Sequence, residues 1–394
     1  MSIRRAFSKS IRAYSTEAAT AGSTSTSSSA ASTSTEAVSS LKIRNPRMRR
    51  AVLQGDWIDG PPSLRTKHAR LAYNSPIGLK EVFPLAYDII LKEKARHYAK
   101  AEEIKQELES SDASKIDAET RASLVAKYNK HLVRAELNDP EVQYNYRIKQ
   151  LDLTQPVYRH LAERDWKSYD MLITLQRLEQ LHVIPDTLPT IDPRADVKLQ
   201  FPTVINKWVT PGEVLRNAVC TRTPIVKIQE FQQIPDNSLY TVLIVDPDTP
   251  DIANDGYTTT LHWAVTNIPL SNTSPVVDLA KSDELIPFLP PHPDKNGPTH
   301  RYCLWAFRQA DPSTSVNATS TPLGSPTVAT RRIEIAANDV SLARENFGIR
   351  AFVSAHNLDP VGAHVWRCTY DQSTESVREK FGLGPGIVFD KVRR

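Results

Sequence analysis

From Leu239 to Val245 the chain reads Leu-Tyr-Thr-Val-Leu-Ile-Val, a β-branched and aromatic run with the length of a buried strand. Asp246-Pro247-Asp248-Thr249-Pro250 follows and is expected to end that strand, because proline cannot donate to a ladder. Leu261 to Asn267 alternates with period two, which sets His262 on the face opposite Trp263 and Val265. Tyr302 to Phe307 alternates in the same way and puts His300 and Tyr302 on one face. Three strands therefore bring Asp246, His262, His300 and Tyr302 to one rim.

The period changes in residues 84–185, which read as helices. Leu124, Tyr128 and Leu132 recur at i, i+4, i+8 after an N-cap candidate at Asp117, and Asn138-Asp139-Pro140 breaks the pattern. A second long helix begins at Pro156, with Leu161, Leu172, Leu175, Leu178 and Leu181 as its buried stripe, and ends at Ile184-Pro185-Asp186. Its role is docking, against the β domain or within the helices themselves. Short strands and turns follow from Pro189 to Phe231, among them Asp196-Val197-Lys198-Leu199 and Trp208-Val209-Thr210-Pro211. The class is α+β, a β-sheet domain at 186–375 behind a helical and extended basic extension. A Ser/Thr/Pro/Gly-rich loop at 311–330 and a tail at 376–394 complete it.

Length and composition refine this picture. At 394 residues the chain exceeds one comfortable core. No run approaches the ~18 apolar residues of a transmembrane helix. Cys220, Cys303 and Cys368 show neither metal nor redox spacing, so they read as small core residues in a reducing compartment. Residues 1–14 hold Arg4, Arg5, Lys9 and Arg12 with no acid, and Ile3, Phe7, Ile11 and Tyr14 recur at helical spacing. That is the composition of a mitochondrial presequence, with a processing-like Arg12-Ala13-Tyr14-Ser15 and cleavage expected before Ser15. Residues 15–40, rich in Ser, Thr and Ala, are expected to be disordered.

The net charge of +4 depends on that leader: removing its four cations gives 4 − 4 = 0 for the rest. Local charge then has to carry any nucleic-acid reading. Residues 41–83 supply it as an extended basic arm in which Arg44, Arg47, Arg49, Arg50, Arg65, Lys67 and Arg70 are the candidate RNA contacts, with Trp57 packing on its own domain. Enzyme signatures are missing: there is no Gly-rich phosphate loop, no paired Cys or His at metal spacing and no Gly-x-Ser-x-Gly elbow. Asp246, His262 and His300 as a two-His-carboxylate metal set is a weak pattern, and His292-Pro293-Asp294 sits in a proline-rich loop without the helices of a J-domain. No catalytic residue, metal or cofactor is assigned.

Four ordered blocks, Leu239 to Pro250, His262-Trp263 with Asn267-Ile268-Pro269, Pro290-Pro291 with Gly297 to Tyr302, and Asp359-Pro360-Val361-Gly362, resemble the phosphatidylethanolamine-binding protein family. The resemblance runs from about Val197 to Asp371. It implies a compact β domain whose pocket is lined by Asp246, Pro250, His262, Gly297, His300 and Tyr302, with Asp248 and Arg301 bracing the loops. Such a pocket suits a zwitterion, ammonium on Asp and phosphate on His⁺ and Tyr. Two departures stand out: Gly297-Pro298-Thr299-His300-Arg301 is one residue longer than the family's Gly-x-His-Arg, and Thr260 replaces a usual bulky aromatic. The pocket is therefore expected to be vestigial, its residues kept for folding.

Leader, basic arm, added helices and altered β domain together resemble the family's members in the mitochondrial large ribosomal subunit. That resemblance implies a non-enzymatic, matrix-located structural protein at the central protuberance, with mitochondrial rRNA and large-subunit ribosomal proteins as partners and no homo-oligomer. The alternative is a free mitochondrial headgroup binder or enzyme inhibitor with a working pocket.

Overall fold

A computed structural model describes residues 40–55, 64–74, 76–109, 118–202, 207–235, 238–309, 332–334 and 342–390. The leader, the low-complexity tail up to 39, Trp57, Asp117 and the loop at 311–330 lie outside the described residues.

The segment expected as an extended arm holds helices among its described residues. Helices α1 (Pro46–Gln54) and α2 (Lys67–Leu71) occupy it, and α3 (Leu79–Glu109) begins inside its span. The reason is local: Asn45 Oδ1 accepts the Arg47 N–H at 3.0 Å, Pro46 occupies the first turn, and Gly55 closes α1 at φ 69°. Thr66 caps α2 in the same manner, its Oγ1 accepting the Ala69 N–H at 3.2 Å.

Then follow α4 (Ala118–Glu136), α5 (Pro140–Arg147), α6 (Pro156–Ser168), α7 (Asp170–Gln180) and α8 (Val183–Asp186). The helix expected from Pro156 starts there but breaks at Tyr169, so its stripe does not stay on one face. Leu161 is fully buried among Val142, Tyr146, Val157 and Tyr158, Leu178 is buried against the sheet, and Leu172 is 54% exposed. The break turns α7 onto the β domain while α6 stays with the helices. At the end of α6 Trp166 packs tilted against Phe231 with ring centroids 5.0 Å apart, and Lys198 reaches Asp170 at 3.1 Å, which fastens the two parts together.

Among the described residues eight strands follow: β1 (Ala195–Gln200), β2 (Val214–Arg216), β3 (Ile225–Glu230), β4 (Leu239–Asp251), β5 (Gly256–Pro269), β6 (Asp283–Ile286), β7 (His300–Gln309) and β8 (Leu358–Thr369). Helices α9 (Ile349–Ala355) and α10 (Ser373–Lys380) flank β8. Trp208 to Pro211 forms no strand; its Val209 N–H is anchored on the Leu199 carbonyl at 2.8 Å.

Six strands form one sheet in the order β2-β8-β7-β4-β5-β6, and β1 with β3 forms a second, antiparallel pair. The central strand β4 is covered on both faces, which is why its sequence is continuously apolar. Val242 and Ile244 pack toward β1 and β3 with Val197, Leu199, Val226 and Ile228. Leu243 and Val245 pack the other way with Leu178, Val183, Trp305 and Phe352. Gly362 of β8 lets β1 approach: an added Cβ there would meet Val197 Cγ2 at 2.5 Å and the Ala195 carbonyl oxygen at 2.9 Å.

Candidate functional site

The Asp-Pro-Asp-Thr-Pro block does not end β4. The strand continues to Asp251 and pairs with β5 as far as Asp251↔Gly256, with the ladder interrupted between Asp246 and Thr249. An irregularity of this kind removes the need for a prolyl N–H at Pro247, so that proline is accommodated within the strand. A second register shift falls between Ile244 and Val245, where Trp263 pairs with Ile244 and Leu261 with Val245, leaving His262 as the extra residue. This corrects the simple alternation expected of β5. Instead of facing away from Trp263, the His262 ring meets the edge of Tyr302 at 5.1 Å, within the same cluster that buries Trp263.

Four of the six expected pocket residues converge. Asp246 Oδ2 lies 2.8 Å from His300 Nδ1, and Asp246 Oδ1 accepts the Asp248 N–H at 2.8 Å. Tyr302, two residues along β7 from His300, stacks on Trp366 of β8 at 5.5 Å. All four of Asp246, His262, His300 and Tyr302 are at most 4% exposed. The other two stand apart from them: Pro250 pairs with Tyr257 on the outer part of the β4–β5 hairpin, and Gly297 lies in the loop before β7 under the Phe389 ring, 3.5 Å from where a Cβ would be.

Electrostatics closes the cluster further. Burial alone would raise the Asp246 carboxyl and lower the His300 imidazole, but their mutual hydrogen bond and charge outweigh it, holding the carboxyl below and the imidazole above their ordinary values. His262 is held down to about 3, first by burial and then by its neighbour His292. Its Nδ1 is 2.8 Å from the Leu289 carbonyl oxygen, which can only accept, so the neutral ring carries its proton there. The Nε2 lone pair then faces the interior with no hydrogen-bond partner. The Tyr302 hydroxyl is pushed well above its usual pKa by burial and lies near the His292 backbone N–H without a well-formed hydrogen bond. The result is an ion pair already satisfied plus one acceptor and one hydroxyl. It offers no spare cation to an anion. Among the described residues no group of three or more His, Cys, Asp or Glu side chains could hold a metal ion, and no helix is long and apolar enough to cross a membrane.

Asp248 and Arg301 form the brace expected of them. Arg301 Nη2 and Nε reach the Asp248 carboxylate at 2.6 and 2.8 Å, while Nη1 reaches Asp186 at 2.8 Å and the Leu181 carbonyl at 2.6 Å. The helical extension is thus tied to the rim through one guanidinium. Residues outside the expected pocket set complete the enclosure. His292 packs on His262 at 5.3 Å; Arg378 Nη1 donates to the His292 carbonyl at 3.2 Å and to Asp294 at 3.3 Å. The chain after α10 then straps the loop, with Ile387 N–H on Asp294 at 3.0 Å and Phe389 N–H on the Lys295 carbonyl at 3.0 Å. His292-Pro293-Asp294, set aside as a chance tripeptide, is where that strap attaches.

Of the arm residues, Arg44, Arg47, Arg50, Arg65 and Lys67 are exposed and Arg70 is half-buried. Arg49 is engaged elsewhere, its Nε 3.0 Å from buried Glu141.

Residues 205–352 match the family model described as phosphatidylethanolamine-binding protein. The chain is 30% identical over 249 residues, 63% of its length, to the large ribosomal subunit protein mL38 of Schizosaccharomyces pombe, and covers 73% of that protein. The chain belongs to the mL38 family. The chain is also 30% identical over 166 residues to the Arabidopsis thaliana protein TWIN SISTER of FT, covering 41% of this chain and 75% of that one. A solved phosphatidylethanolamine-binding protein from Plasmodium vivax is 21% identical and is covered over 98% of its length by 50% of this chain, with a TM-score of 0.37. The likeness to mL38 covers 249 residues, against residues 205–352 for the family model, so it reaches into chain that the phosphatidylethanolamine-binding domain alone does not contain.

Proposed function

We propose that the chain is a non-enzymatic structural component of the mitochondrial large ribosomal subunit, located at the central protuberance and holding rRNA and neighbouring ribosomal proteins. The observation that carries this reading is the extent of the likeness to mL38, a large-ribosomal-subunit protein, beyond the phosphatidylethanolamine-binding domain. The chain's place of work is the mitochondrial matrix. Its exposed cations Arg44, Arg47, Arg50, Arg65 and Lys67 supply phosphate contacts. The β domain serves as a packing block, consistent with a rim whose ion pair is internally satisfied and whose loop is strapped by the chain after α10.

Sedimentation of the tagged protein through a high-salt gradient tests this. Migration with the large subunit is the expected result, and a slow free peak would remove it. The second reading, a free headgroup binder, draws on one observation: Asp246, His262, His300 and Tyr302 are still gathered in one place. It predicts the slow peak.

A further inference from the structure

Helices α3 and α4 form an antiparallel hairpin and meet at two histidines. His97 and His131 bring their Nδ1 atoms to 3.3 Å, with ring centroids 5.5 Å apart. At that distance one nitrogen donates and the other accepts, so the free pair cannot hold both Nδ1 protons in this geometry. The largest charges acting on His131 share one sign: Lys100 comes from α3, and Lys130 and Arg134 from α4. Lys127 stands one turn before His131 on the same helical face. All four cations are exposed, and none makes an ion pair among the described residues. Lys94 and Lys167, by contrast, are matched: Lys94 lies on Glu136 and Asp139, and Lys167 on Glu163.

We propose that this face of the α3–α4 hairpin is an RNA-binding surface, in which Lys127, Lys130 and Arg134 along α4 and Lys100 across from them contact backbone phosphates around the His97–His131 pair. The inference rests on the ribosomal reading above and locates one of its RNA contacts. Lys127 to Arg134 covers about 10 Å of helix, longer than one phosphate group, which fits a polyanion better than a single ion. A protein interface is depleted of charge at its centre, whereas a nucleic-acid interface is rich in cations. The histidines make the contact pH-dependent. Burial first, then His97 and the three cations, hold His131 below its ordinary value. A docked phosphate cancels the repulsion on His131, so binding takes up a proton and tightens as the pH falls.

The test uses the full chain and a fluorescein-labelled RNA hairpin, read by anisotropy across salt concentrations. The K127Q/K130Q/R134Q variant is expected to bind at least ~10-fold more weakly, with a log–log salt slope shallower by about 2 to 3. H97Q/H131Q is expected to lose the parent's gain in affinity between pH 8 and pH 6. Circular dichroism checks that the hairpin remains helical in both. Parent-like affinity and slope in the triple variant overturn the inference, while co-sedimentation of the parent with the large subunit keeps the ribosomal reading alive. Loss of the triple variant from the subunit with unchanged RNA affinity also overturns it, in favour of an acidic protein neighbour.

Discussion

Arg49 clasps Glu141 across 92 positions of sequence, its Nε lying 3.1 and 3.0 Å from the two carboxylate oxygens. Glu141 is 4% exposed and also accepts the Ile43 N–H at 2.9 Å. One residue of the basic segment thus anchors α1 to α5. Replacing Arg49 with alanine leaves a buried carboxylate with one strong partner fewer. Because the Arg49 side chain is 43% exposed, water compensates in part, and we expect a loss of about 1–2 kcal/mol. Urea unfolding of R49A against R47A, whose guanidinium has no ion pair among the described residues, measures this; equal midpoints would show the clasp to be inert.

The buried histidines predict opposing pH effects. His300 sits above its ordinary value, so its contribution is complete below about 6.5 and disappears as the pH rises through its folded value. Asp246 sits below its ordinary value and contributes above about 4, losing this as the pH falls. His262, at about 3, and His364, at about 4, are buried neutral and bind protons more readily unfolded, so each costs stability as the pH drops from about 6.5. H300Q should therefore lose less stability than the parent between pH 6 and 9, and H364Q less between pH 6.5 and 4. Parallel thermal-midpoint curves for parent and variants would count against these assignments.

Much of this was legible because strands covered on both faces declare themselves. Leu239 to Val245 could only be interior, and Asp246, His300 and Tyr302 follow from strand phase. His262 was placed in the right cluster for the wrong reason, since a bulge that hydropathy does not mark brings it round. The charge of 41–83 points to an extended arm, whereas Asn45-Pro46 and Gly55, which are ordinary helix punctuation, set α1 within it. Nothing local foretold the strap: the contacts of Arg378, Ile387 and Phe389 with residues 292–297 depend on where the chain returns after β8.

Gly362 sets the distance between the two sheets. Its missing Cβ would stand 2.5 Å from Val197 Cγ2 and 2.9 Å from a backbone oxygen that cannot rotate away. Alanine there should force β1 outward and destabilise the fold by about 1–3 kcal/mol. At Gly384 an added Cβ meets nothing within 4 Å, so G384A serves as the neutral comparison in chemical denaturation.

The strap over the rim gives the last expectation. Gly297 is covered by Phe389, Asp294 is held by Arg378 and Ile387, and the four converging residues beneath are at most 4% exposed. A headgroup such as O-phosphoethanolamine would have to displace this strap and then compete with an ion pair that already satisfies Asp246. Added at millimolar concentration, it should leave the thermal midpoint of the intact chain unchanged. Deleting residues 383–394 removes the backbone bonds to Asp294 and Lys295 and should speed amide exchange across 290–299 while β4 and β7 stay protected. A midpoint rise with the intact chain that H300Q abolishes would mean that the rim is a working pocket, and that the strap is its door rather than its seal.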